Sequence, residues 1–237
     1  MGFVRVLAVY TVLIVAVVVA AGAALLWLPG RAPSVTYKES YDAGFRVAVI
    51  RVLDTSALIT VGANASEGMV TLTGRGWGCR IGASREGSSI HVEASGSMLP
   101  PCWDSKTIIT LPPGLRGVEV YAARAGVGLD NLTAYNVVLA ITEGGLNASV
   151  AAVNLTVKIS TGSAYVLFKP LSKDSHVTLT VNRGDATLGI RGNATVEVSV
   201  SSGHVETHHC GGGQVIVEAN VKEGHAEIYC KAPLGQK

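Results

Sequence analysis

Six segments of this chain alternate apolar and polar residues up to a glycine, and that repetition restricts the fold more than any other feature. Aligned on the glycine, they read VEVYAARAG to Gly126, VVLAITEGG to Gly145, LTVKISTG to Gly162, VTLTVNRG to Gly184, VEVSVSSG to Gly203 and VIVEANVKEG to Gly224. Successive glycines are 19, 17, 22, 19 and 21 residues apart. Val137, Leu139 and Ile141 in one unit match Leu155, Val157 and Ile159 in the next, with mostly polar residues between. A period of two puts one face of a strand inside and the other in water. The glycine marks a bend, where positive φ is cheap only without a Cβ. Ala164, Ala186, Val205 and Ala226 each stand two residues past their glycine, and their small size predicts a narrow interior.

One unit of about twenty residues buries two or three apolar side chains in its first strand, on the order of 3–8 kcal/mol. Ordering those residues costs about 1–2 kcal/mol each, so no unit stands alone and neighbours must share a core. The pattern predicts a β-solenoid with six stacked units from residue 117, roughly 29 Å long at ~4.8 Å per rung. An antiparallel β-sandwich is the alternative, because strand–glycine–strand units also make hairpins. Upstream, 47–53, 57–61, 69–73 and 90–94 read as strands of the same domain, with a flexible stretch at Gly74, Gly76 and Gly78 before Cys79. The domain so read covers 46–230, after a short polar stalk at 31–45 and before a flexible tail at 231–237.

Val6 to Leu28 are 23 residues without a charge. As a helix they would extend roughly 34 Å, enough for a ~30 Å hydrocarbon core. Tyr10 and Trp27 suit the two interfaces, and Pro29-Gly30 ends the helix. Residues 1–30 are therefore predicted as a transmembrane anchor, with the lipid bilayer as partner of residues 6–28. A signal segment cleaved at Ala21-Gly22-Ala23 is the alternative. Arg5 on one side and Arg31 and Lys38 on the other do not set the orientation. Two other features do. Asn64, Asn131, Asn147, Asn154 and Asn193 open Asn-x-Ser/Thr acceptor sites, where chance gives about one. All four cysteines follow the apolar stretch, which suits an oxidising exterior. The expectation is a single-pass protein of the cell membrane with its C-terminal domain outside the cell and glycans on those five asparagines.

The 19 Lys and Arg nearly balance 17 Asp and Glu, so no electrostatic footprint for nucleic acid is present. The sequence lacks Gly-x-Ser-x-Gly, a Lys-bearing phosphate loop, Cys-x-x-Cys and His-Glu-x-x-His.

The run TIITLPPGLRGVEVYAARAGVGLDNL, followed by VKISTGSAYVLF, LTVNRGDATLGI and VSVSSGHVE, resembles the adhesin-like β-solenoid domain of unknown function in bacterial and archaeal surface proteins. Leu111-Pro112 matches that family's Leu-Pro step, and Thr161-Gly162-Ser163-Ala164 and Gly184-Asp185-Ala186 match its turns. Gly145 and Gly224 match loosely. The similarity covers roughly residues 46 to 230 and is strongest from 107. The resemblance implies a solenoid and a surface or envelope role, and brings no catalytic residues.

Four cysteines allow three pairings. Cys79 and Cys102 are 23 apart and Cys210 and Cys230 are 20 apart, each close to one repeat, so pairing within each duo on adjacent rungs is natural. Cys210 lies seven past Gly203 but Cys230 six past Gly224, which calls for a bulge, with Gly211-Gly212-Gly213 available to absorb it. Trp77 and Trp103 flank the first duo. Four of six histidines gather near the C-terminus: His204, His208, His209 and His225. His204, Glu206 and His208 share a strand face, with His225 and Glu227 one repeat later, a set of Zn²⁺ or Cu²⁺ ligand types. A plain solvated outer face has the same composition. A polysaccharide-cleaving solenoid enzyme needs clustered carboxylates, whereas Asp130, Asp174 and Asp185 occupy unrelated positions.

The sequence thus predicts an all-β chain: a single β-solenoid ectodomain, β-helix-like, with an N-terminal transmembrane α-helix. Its expected function is a structural or adhesion module of the cell envelope, meeting envelope proteins or glycans, without cofactor or enzymatic activity. A surface metal-binding protein and a carbohydrate-active enzyme are the alternatives.

Overall fold

A computed structural model describes residues 15–19, 34–42, 44–61, 67–76, 78–96, 102–213 and 215–230. The first half contributes β1 (Ser34–Asp42), β2 (Val47–Leu53), β3 (Ser56–Val61), β4 (Glu67–Gly76), β5 (Cys79–Glu86), β6 (Ser89–Gly96) and β7 (Cys102–Leu111). Next come β8 (Gly117–Ala123), β9 (Ala125–Thr133), β10 (Asn136–Ala152), β11 (Asn154–Pro170) and β12 (His176–Ile190). β13 (Ala194–Val200), β14 (His204–His208) and β15 (Val215–Cys230) complete the set.

Among the described residues all fifteen strands belong to one sheet. The long strands β10, β11, β12 and β15 each bend near their middle, and both halves send alternate residues to the same core. In β10, Val137, Leu139 and Ile141 are buried before the bend, and Leu146, Ala148, Val150 and Ala152 after it. The sheet therefore curls back on itself into a nearly closed, barrel-like wall around a core that runs from Phe45 to Cys230.

Glycine carries the ladder through the bend. Gly144, Gly162, Gly184 and Gly224 stand opposite one another in register, with φ of 135°, 135°, 125° and 140°. A Cβ on Gly162 would overlap the carbonyl of Gly144, and one on Gly184 that of Gly162. Where the corner residue has a side chain, the strand breaks: Asp54 (φ 54°) separates β2 from β3, and Arg124 (φ 50°) separates β8 from β9. Those two residues are tied together by a bidentate pair, Arg124 Nε and Nη2 donating to Asp54 Oδ1 and Oδ2 at 2.6 and 2.8 Å.

The expected β-solenoid is corrected by this sheet. Its first four units follow chain order across the sheet, from β8–β9 through β10 and β11 to β12, but the last two exchange places. β12 pairs with β15 at an offset of 40 residues (Val177 with Val217), so the intervening unit, β13 and β14, lies on the far side of β15. At the other end β2 sits between β6 and β8, and β3 between β7 and β9. Antiparallel pairing also enters, at β1·β4, β4·β7 and β5·β6. Val198 and Val200, assigned to the shared interior, are 47% and 42% exposed on edge strand β13. Alternation reports which residues face inward but is indifferent to which strand lies next to which.

Other expectations change as well. Residues 34–42, read as stalk, form β1 against β4. Gly74 and Gly76, read as flexible, belong to β4. Among the described residues no helix is long and apolar enough to cross a membrane. Residues 15–19 are helical. The transmembrane helix and the single-pass localisation are therefore not supported, and the remainder of 6–28 lies outside the described residues, as does the tail at 231–237.

Candidate functional site

The residue just past each corner glycine points outward, because the next residue, Ala186, Ala226 or Val205, turns in. Register then builds columns across the outer face of β12, β15 and β14. Asp185, His225 and His204 form one, Thr187, Glu227 and Glu206 the next, and Gly189, Tyr229 and His208 a third. Adjacent strands are ~4.8 Å apart, so each column is a line of close neighbours.

His204 and His225 stack with ring centroids 5.4 Å apart and planes 15° from parallel. His204 Nε2 lies 3.2 Å from Glu206 Oε1, and His208 Nε2 lies 3.6 Å from Glu206 Oε2. On the neighbouring strand His225 Nε2 is 3.2 Å from Glu227 Oε1, while Tyr229 Oη donates to Glu227 Oε2 at 2.8 Å. That hydroxyl, followed by His225, holds the Glu227 carboxyl below the usual glutamate range. The same bond pushes the Tyr229 phenol up. Of the five predicted ligands, His204, Glu206 and His225 have a ligand atom each within 4.8 Å of the others. Glu227 is engaged by Tyr229, and His208 stacks on the Tyr229 ring at 4.5 Å. Sequence reasoning missed Asp185 as a member of this face. Its signal was present, a charged residue directly after a corner glycine, but β12 becomes the neighbour of His225 only through the displaced strand order.

A disulfide closes this end. Cys210 is joined to Cys230 and Cys79 to Cys102, with Cα separations of 4.9 and 5.0 Å. The parity mismatch at Cys210 is resolved two residues before the glycine run: His209 takes φ 56°, and Cys210 reaches Cys230. Trp77 lies outside the described residues.

Asn131, Asn147, Asn154 and Asn193 are exposed, and Asn64 lies outside the described residues. Asn131 adopts φ 50° next to an irregularity in the β9–β10 register, and Asn154 Nδ2 donates to Asn136 Oδ1 at 2.8 Å. The acidic residues weighed for an enzyme are dispersed: Asp130 on β9 opposite Thr60, Asp174 in the turn before β12, and Asp185 on β12.

The fold has solved relatives. It is similar to a candidate adhesin from Bacteroides fragilis, with a TM-score of 0.50 at 12% identity over 85% of this chain and 98% of that one. A candidate cell adhesion protein from Clostridium sporogenes matches with a TM-score of 0.48 at 12% identity, over 84% of this chain and 100% of that one. A candidate adhesin from Parabacteroides merdae gives 0.35 at 11% identity, over 84% and 97% of the two chains. At 12% identity the likeness to the Bacteroides fragilis structure is one of fold. No protein-family model and no curated protein matches the chain.

Proposed function

We propose that the protein is a non-enzymatic scaffold with an adhesion-like role at the cell surface. The observation that carries this reading is the pair of disulfides on one continuous sheet. Cys79 opens β5, Cys102 opens β7 and Cys230 closes β15, so the cross-links secure strands at both ends of the molecule. Such bonds persist in oxidising compartments outside the cytosol. The fold shared with the Bacteroides fragilis candidate adhesin is in keeping with the role. Envelope proteins or glycans are its partners in this proposal, and Asn131, Asn147, Asn154 and Asn193 offer exposed positions for attached sugars. Antibody labelling of intact cells that make the full chain, with peptide mapping of the native protein under nonreducing conditions, tests the reading. Labelling without permeabilisation and both disulfides intact are expected. Labelling only after permeabilisation, or four reduced cysteines, would overturn it.

A further inference from the structure

We propose that His204, Glu206 and His225 form a binding site for a divalent transition-metal ion, of the Zn²⁺ and Cu²⁺ class, that bridges β14 and β15. Two imidazoles and one carboxylate are a ligand set suited to these ions, leaving a further position for water or a partner's side chain. The three ligand atoms already lie within 4.8 Å of one another, against about 3.4 Å for ligands around a tetrahedral ion with bonds of about 2.1 Å. The gap is closed by side-chain rotation rather than backbone movement, because His204 is 66% exposed and Glu206 46%. The backbone part of the geometry is set by the parallel register, which places His204 directly opposite His225.

Neighbouring side chains hold the ligands in place. Tyr229 orients Glu227, and Glu227 in turn holds one ring nitrogen of His225, the carboxylate–histidine arrangement that fixes a ligating ring. Asp185 stands on the other side of His225 in the same column and adds negative charge near the ion. Ligation also has a structural consequence, since β14 is a five-residue strand that pairs only with β15 among the described residues. A cross-strand ion would hold its outer end as Cys210–Cys230 holds the far one.

Isothermal titration of the full-length, metal-free chain with zinc chloride tests the site. One ion per chain is expected, with affinity falling at least tenfold in His204→Ala, His225→Ala and Glu206→Gln and unchanged in His209→Ala. Tyr229→Phe should weaken binding by about tenfold, the usual size of a lost outer-shell contact. Amide exchange across residues 204–208 should slow when zinc is added to the wild type and not when it is added to His204→Ala. All substituted side chains are at least partly exposed, and circular dichroism of each variant verifies that the sheet is intact. Absence of zinc binding by the wild type, wild-type affinity in both histidine variants, or equal binding of Ca²⁺ would overturn the proposal.

Discussion

Replacing Gly162 by alanine is the sharpest probe of how this sheet turns its corner. Gly162 has φ of 135°, a conformation whose cost for a residue with a Cβ is about 1–3 kcal/mol. The added methyl would also overlap the carbonyl of Gly144. That neighbour is backbone in a parallel ladder, so relief requires moving β10 away from β11, an overpacking cost of about 1–3 kcal/mol. Against this, alanine restricts the unfolded chain and returns about 0.4–1 kcal/mol. The net loss is therefore about 3 kcal/mol, a large share of the roughly 5–15 kcal/mol typical of a folded domain.

Gly126 supplies the control. It occupies the same place as Gly162 in the sequence alignment, yet nothing lies within 4 Å of a Cβ built on it and its φ is not in the left-handed range. Gly126→Ala should change stability by no more than about 0.5 kcal/mol. With a urea m-value of about 3 kcal/mol/M, Gly162→Ala lowers the midpoint by about 1 M while Gly126→Ala leaves it in place. Equal midpoints for the two variants would refute the argument that the stacked glycines carry the ladder through the bend.

Three further outcomes are expected. Val217 is fully buried on β15 and Val198 is 47% exposed on β13, so Val217→Ala should cost about 2 kcal/mol and Val198→Ala under about 0.5. Chain-order stacking would reverse that ranking, and urea melts of the two variants decide it. Thr107 Oγ1 is buried without a hydrogen-bond partner, so the isosteric Thr107→Val should raise stability by about 1 kcal/mol in the same assay, and a loss would refute the point. Tyr121 Oη donates to Glu119 at 2.8 Å, and this bond, with burial and the Glu119 charge adding to it, raises the phenol above the ordinary tyrosine range. A raised folded-state value means that the bond's contribution is complete below the unfolded-state value of about 10 and is lost as pH rises through the folded one. An NMR titration should place Tyr121 above free tyrosine and return it on Glu119→Gln; no response to that substitution would contradict the assignment.

What could be read from the sequence was the inward face of each strand. Val137, Leu139 and Ile141 are buried as their alternation implies, and the small residues Ala164, Ala186 and Ala226 line up in one buried column. The corner was legible only approximately. In the Gly144-Gly145 pair the second glycine fits the alignment, but the first stacks on Gly162, because the choice depends on backbone dihedrals that composition does not encode. β5 escaped notice because Arg80, Ser84, Arg85 and Glu86 leave little apolar alternation on a strand that pairs with a single neighbour. For the candidate site, the histidine and glutamate columns followed from the repeat, whereas the place of Asp185 depended on an order of strands that no local pattern records.

That order has a physical cause in the residues of the last two units. In register, Thr207 of β14 stands opposite Ile228 of β15. The inward positions of β15 are Val215, Val217, Ala219, Val221, Ala226, Ile228 and Cys230, all buried and none carrying a hydroxyl. Those of β13 and β14 include the threonine. With β13–β14 inside, the Thr207 hydroxyl would leave water and Ile228 would enter it. A buried unpaired hydroxyl costs about 1–3 kcal/mol, and exposing a large aliphatic side chain loses a further 1.5–3 kcal/mol or so. With β15 inside, Thr207 stays exposed and Ile228 is fully covered. The displaced strand order is thus the arrangement that puts the more polar unit at the edge, where its histidines and glutamates also remain open to solvent. The same preference makes a concrete demand: Thr207→Val should narrow the difference between the two orders, whereas Ile228→Thr should destabilise the sheet by several kcal/mol and loosen β15 from β12.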